Sequence, residues 1–172
     1  IFLGSEKKGN GLHAYLSDEQ LNWFREKLAE KRDENRPIYV FLHQGLIDTV
    51  AGTYEYQGWH GIDRAEEFAA EHRGQFDFAT SRAVANLSVL CELCLPLVKT
   101  GGYFLAMKSV DSDAELKDAE RAIRTLCGRV ERSADYRIPG TEVIHRVIFI
   151  KKEAETPKKY PRAFAKIKKN PL

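Results

Sequence analysis

The chain has 172 residues, 43% of them hydrophobic and 30% charged, a balance that fits a folded water-soluble domain and excludes a disordered chain. No apolar run approaches the ~18 residues that a membrane-spanning helix needs, and no secretory leader is legible, so the expected compartment is the cytoplasm. The formal charge of +2 is unevenly spread: Lys151–Leu172 carries eight Lys/Arg against two Glu, which leaves the preceding 150 residues at −4. A basic terminal segment on a mildly acidic body suits a phosphate-rich partner.

Taken in chain order, IFLGS (1–5) is a short apolar run followed by a glycine-rich polar loop. Ser17 then presents an N-cap signature, and apolar residues at 21, 24 and 28 predict a helix. Pro37 opens IYVFLH, a β-branched and aromatic run that reads as a buried strand. After polar sequence to about residue 61, DRAEEFAAEH (63–72) predicts a helix and QFDFATSR (75–82) a strand. NLSVLCELCLPLVK (86–99) predicts a helix capped by Thr100-Gly101-Gly102, and YFLAMKS (103–109) the next strand. An amphipathic helix over 111–128, stopped by Gly128, precedes two strands joined at Pro139-Gly140. Cys91 and Cys94 form a CxxC inside an apolar helix, where they read as core thiols rather than a zinc or redox pair.

Strands alternating with helices argue an α/β fold with a mostly parallel sheet, helices on both faces and a C-terminal antiparallel hairpin. That pattern looks like the sheet of the Rossmann-like methyltransferases. The residues RAEEF (64–68), FDFATSRAVANLSVLCELCLPLVKTGGYFLAMKS (76–109) and TPKKYPRAFAKIKKNPL (156–172) resemble the 16S ribosomal RNA guanine-N7 methyltransferase family, also called the glucose-inhibited-division B family. The resemblance implies S-adenosylmethionine as cofactor, with Ala65 and Glu66 beside its adenosyl part and Arg82 as a further contact. Such placements lie near the carboxyl ends of strands, where doubly wound sheets bind ligands. It also implies 16S ribosomal RNA as partner, held through Lys158, Lys159, Tyr160, Arg162, Lys166, Lys168 and Lys169. Tyr160 and Phe164 either stack on bases or pack on the body and leave the lysines in solvent. The family's glycine-rich loop, roughly GxGxGxPG, is not among the residues before 63.

Residues 1–61 are similar instead to a slice of a calcineurin-like metallophosphoesterase, through FLGSE (2–6), YLSDEQLNWFREKL (15–28), RPIYVFLHQGLIDTVAGT (36–53) and QGWHG (57–61). In that family a strand ends in a metal-binding histidine, which would be His43. The remaining ligand motifs do not occur, so no metal site is expected. The expectation is one α/β domain over 1–172, with a phosphoesterase-like β-α-β segment (1–61), a methyltransferase-like segment (62–155) and a basic tail (156–172). Its expected function derives from ribosomal RNA methyl transfer, impaired by the missing loop. The alternatives are a recombined or designed chimera without activity, and a phosphoesterase fragment with residual metal binding.

Overall fold

The computed structural model describes residues 2–3, 6–7, 14–15, 17–30, 41–42, 62–63, 70–82 and 85–172. The chain, read above as one domain, clusters into two compact units, Ile1–Ala65 and Glu66–Leu172.

In the first unit β1 (Phe2–Leu3) pairs in parallel with β4 (Phe41–Leu42). A second small sheet joins β2 (Glu6–Lys7), β3 (Ala14–Tyr15) and β5 (Ile62–Asp63), with β2·β3 antiparallel and β3·β5 parallel. Helix α1 (Asp18–Glu30) starts where the cap signature places it: Ser17 Oγ accepts the Gln20 amide at 3.1 Å. Leu21 and Phe24, one turn apart, form its buried face.

The second unit holds β6 (Phe76–Arg82), α2 (Leu87–Cys94), β7 (Val98–Ser109), α3 (Asp113–Thr125), β8 (Gly128–Arg137), β9 (Ile144–Lys152) and α4 (Phe164–Lys169). Its sheet runs β6-β7-β9-β8, parallel at β6·β7 and antiparallel at the other two pairings. The hairpin forms as its turn chemistry predicts, but its second strand slots between β7 and β8, so β8 alone is the new edge. Register puts Ala79, Phe104 and Ile150 in one row and Ser81, Ala106 and Ile148 in the next. These rows face α2 and α3, and Leu87, Leu90, Cys91, Ala119, Ala122 and Ile123 close the core over them. Helices α2 and α3 thus lie on that one face. The other face carries Phe78, Tyr103, Met107, Val147 and Phe149.

Two glycine signals, Gly101-Gly102 and Gly128, act differently from their sequence reading. Pro96 turns the end of α2 into a short 3-10 turn (Leu95–Leu97), and the chain enters β7 already at Val98. Gly101-Gly102 therefore cap no helix. They lie within β7, where the register shifts between Phe76 and Phe78 and Gly101 adopts φ +88°. A Cβ on Gly102 would sit 2.9 Å from Val98 Cγ1 and far inside contact distance of the Asp77 carbonyl oxygen. Gly102→Ala should consequently push β6 from β7 and lower stability by about 3 kcal/mol or somewhat less, the upper range for overpacking. Urea unfolding measures it, and an unchanged midpoint would contradict this geometry. At the end of α3 the left-handed residue is Cys127 (φ +60°), not Gly128. Gly128 is instead required for close packing, since its Cβ would lie 3.0–3.3 Å from Ile150, Leu95 and Ile123.

Candidate functional site

The carboxyl ends of the parallel strands β6 and β7 form one edge of the sheet, where ligands bind in folds of this class. Arg82 ends β6 in register with Met107, and its side chain is exposed. A guanidinium there suits a carboxylate or phosphate. Ala65, Glu66 and His43 lie outside the described residues.

One residue toward the end of β7, on the helix side, Lys108 is 6% exposed. Its ammonium donates to the Ala85 carbonyl at 2.5 Å and to Glu115 Oε1 at 2.6 Å. The same Glu115 oxygen accepts the Leu87 amide at 2.6 Å, and Asn86 caps α2 through the Ser88 amide at 3.0 Å. Lys108 and Glu115 thus clamp the chain just after Arg82 to the starts of α2 and α3. No sequence signal singled them out, because a Lys seven residues before a Glu, across a strand-to-helix turn, belongs to no helical or strand spacing.

The tail is docked rather than free. It leaves β9 at Lys152, five residues from Val147, which lies in the row of Arg82 and Met107. At ~3.4 Å per residue its root is roughly 17 Å along the sheet from the Arg82 edge. Lys152 is 1% exposed; its ammonium donates to the Leu95 carbonyl at 2.8 Å and to Thr156 Oγ1, which donates in turn to the Leu126 carbonyl at 3.1 Å. Arg73 donates to the Thr156, Pro157 and Tyr160 carbonyls at 2.5–2.9 Å. Tyr160 joins the hydrophobic core, and Ile167 of α4 is fully buried. The Arg162 guanidinium grips Glu92 with both arms at 2.8 and 2.7 Å, which holds the arginine's pKa above its usual value.

Two residues expected to face RNA thus have other duties here: the Tyr160 ring is buried and Arg162 is engaged by a carboxylate. Lys158, Lys159, Lys166, Lys168 and Lys169 are exposed, with the Lys159 ammonium 5.2 Å from the Tyr160 ring centre.

Burial lowers the Lys152 pKa from 10.5 to about 8. Below pH 8 both folded and unfolded states hold the proton; between pH 8 and 10.5 only the unfolded state does. Stability should therefore rise with pH across that window, and the neutral amine still has two N–H groups for its two acceptors. The gain is on the order of 3 kcal/mol, since each pKa unit is worth about 1.4 kcal/mol. Urea midpoints at pH 7.5 and 10, compared with those of Lys152→Met, measure it; parallel pH profiles of the two proteins would contradict the assignment. Burial also raises both thiols of the CxxC, Cys94 to about 12, as befits core cysteines. Among the described residues no group of three or more His, Cys, Asp or Glu stands ready for a metal, and no helix is long and apolar enough to cross a membrane.

The class that this architecture defines is the Rossmann-like methyltransferase-type α/β fold: parallel strands, then a hairpin whose last strand is inserted antiparallel. Residues 62–138 match the family model described as GidB, rRNA small subunit methyltransferase G. A "Ribosomal RNA small subunit methyltransferase G" of Clostridium botulinum (strain Loch Maree / Type A3) is 48% identical over 120 residues, covering 69% of this chain and 49% of the relative. One from Alkaliphilus oremlandii is 40% identical over 142 residues, covering 81% of this chain and 58% of the relative. Among solved structures, a SAM-dependent methyltransferase from Methanosarcina mazei gives a TM-score of 0.40 at 11% identity, covering 83% of this chain and 82% of that one. The chain spans about half the length of the curated relatives it matches.

The expected junction near residues 61–63 gains no support. A match over 81% of the chain does not fit within residues 62–172, which are 111 of 172, so the A. oremlandii similarity runs upstream of it. None of these relatives is a phosphoesterase. The strand-like IYVFLH run and a single histidine are features that many α/β proteins share.

Proposed function

We propose that this chain belongs to an S-adenosylmethionine-dependent methyltransferase acting on guanine N7 of 16S ribosomal RNA in the cytoplasm. The observation that carries the reading is the 48% identity to a ribosomal RNA methyltransferase, on a unit whose strand order is that of the methyltransferase sheet. Ala65, Glu66 and Arg82 are the residues to hold the cofactor, and an exposed arginine at the carboxyl end of β6 has the chemistry for its carboxylate. The cofactor, when bound, supplies a methyl group already activated on a sulfonium.

Guanine N7 presents a free lone pair, so the chain's residues need to orient and desolvate rather than remove a proton. The Lys108–Glu115 clamp holds Ala85 and the start of α2, three to five residues beyond Arg82, and Lys158, Lys159, Lys166, Lys168 and Lys169 offer phosphate contacts. Because no GxGxGxPG run occurs in the 172 residues, cofactor affinity and turnover should fall below those of a relative assayed in parallel.

The test is transfer of labelled methyl to 16S RNA, followed by nuclease digestion and identification of the modified nucleoside. The reading predicts N7-methylguanosine, suppressed by S-adenosylhomocysteine. Label on an exocyclic amine or on a ring carbon would overturn the assignment.

A further inference from the structure

Four of the six large apolar side chains exposed among the described residues sit at or beside one hairpin turn: Tyr136 (39%), Ile138 (37%), Val143 (49%) and Ile144 (42%). The turn that carries them is built to stay put. The Ile138 amide donates to the Val143 carbonyl at 3.0 Å, and the Thr141 amide and hydroxyl both donate to the Ile138 carbonyl. Thr141 Oγ1 accepts the Val143 amide at 3.2 Å, Gly140 takes the left-handed turn at φ +78°, and Arg137 pairs with Glu142 at 2.6 Å. Apolar groups held in water by so many local bonds are displayed for contact.

Register fixes where this tip lies. Ser109, the last residue of β7, aligns with His145, and His145 aligns with Tyr136. That row is two residues beyond the row of Arg82, Met107, Val147 and Ala134, on the same face and at the same carboxyl edge. With strands ~4.8 Å apart and ~3.3 Å of rise per residue, Tyr136 is roughly 16 Å from Arg82. The His145 ring lies 5.8 Å from that of Tyr136, tilted by 35°. The tail root lies at the opposite end of the sheet. On the hairpin, Arg132 stands on the Tyr136 face with its guanidinium over the Phe149 ring, while Arg137 and Arg146 near the tip are paired with Glu142 and with Asp135 and Asp113.

We propose that the hairpin tip, Tyr136 with Ile138, Val143 and Ile144, is a stacking platform for an unpaired base of the RNA strand that flanks the target nucleotide. This rests on the methyltransferase reading above and adds its substrate contact. An aromatic ring held on a rigid turn offers a π-face to single-stranded RNA, whose bases are free to splay out and stack. A second copy of the chain fits less well, since four side chains fall far short of the ~800 Å² per partner that a standard interface buries.

The experiment is fluorescence anisotropy of the full 172-residue chain with labelled oligouridine of about 12 nucleotides, within the ~4–16 that one single-strand-binding site spans, and with an RNA duplex of the same length. Tyr136→Ala should weaken single-strand binding about tenfold, the order of one lost base stack. Duplex binding and the salt slope should stay as they are, because no charge is removed. Tyr136→Phe should restore binding. If Tyr136→Ala and the double variant Ile138→Ser/Val143→Ser both bind oligouridine like the parent, the proposal is overturned. Sedimentation showing a parent dimer that Tyr136→Ala dissociates would also overturn it and assign the tip to self-association. If the parent binds S-adenosylhomocysteine but no RNA, this inference fails while the methyltransferase reading stands; if it binds neither, both fail.

Discussion

Arg162→Ala should destabilise the protein by about 3–5 kcal/mol, the cost of leaving a buried charge without its partner. Glu92 is fully buried on α2, and its carboxylate accepts three bonds, all from Arg162: the backbone amide at 2.9 Å and the guanidinium at 2.8 and 2.7 Å. The alanine variant keeps only the amide. Arg162→Lys keeps a charge but loses the fork, so it should fall between parent and alanine. The double variant Glu92→Met/Arg162→Met removes both charges and should recover most of the loss, because an apolar pair needs no solvation. Urea unfolding of the four proteins decides the matter. An Arg162→Ala variant within ~0.5 kcal/mol of the parent, the scatter of ordinary surface substitutions, would show that the tail is not anchored this way.

Lys108→Met should produce the next largest effect, and one that reaches the site. The ammonium is the common partner of the Ala85 carbonyl and Glu115, and its loss leaves both short of a donor. Glu115 keeps a quarter of its side chain in water, so the expected loss is about 2–3 kcal/mol, below that of a fully buried pair. Because the clamp fixes the chain that follows Arg82, cofactor affinity should weaken along with stability. Glu115→Gln separates the two roles: an amide oxygen still accepts from Leu87 and Lys108, so cofactor binding should survive better than in Lys108→Met. Equal cofactor affinity in the parent and Lys108→Met would remove the clamp from the account of the site.

Much of the second unit was legible in its sequence, since local signals there agree with the fold. Periodicity placed α3 and β6, and Pro139-Gly140 placed the hairpin. What escaped were long-range demands on single residues. Gly101-Gly102 follow a helical run and look like its cap, yet the carbonyl of Asp77 on the neighbouring strand is what requires glycine there. Gly128 looks like a helix stop and is a packing requirement of Ile150, Leu95 and Ile123, while Cys127 makes the turn. In the candidate site, Arg82 could be named from a motif. Lys108, Glu115 and Glu92 could not, because each matters only through a partner at least seven residues away, 70 in the case of Glu92. The family resemblance implies Tyr160 and Arg162 as RNA contacts, in a stretch where aromatic and basic residues alternate. An alternation cannot tell a ring facing water from one facing a core that the same tail helps to close.

The most direct measurement is calorimetric titration of the purified chain with S-adenosylmethionine and S-adenosylhomocysteine, alongside Glu66→Ala and Arg82→Ala. Saturable binding of both compounds, weakened by each substitution, is the predicted result and would mean that the carboxyl edge of β6 holds the cofactor. No heat and no thermal shift at ligand concentrations far above the range of ordinary cofactor affinities, or binding indifferent to Arg82, would contradict the central claim.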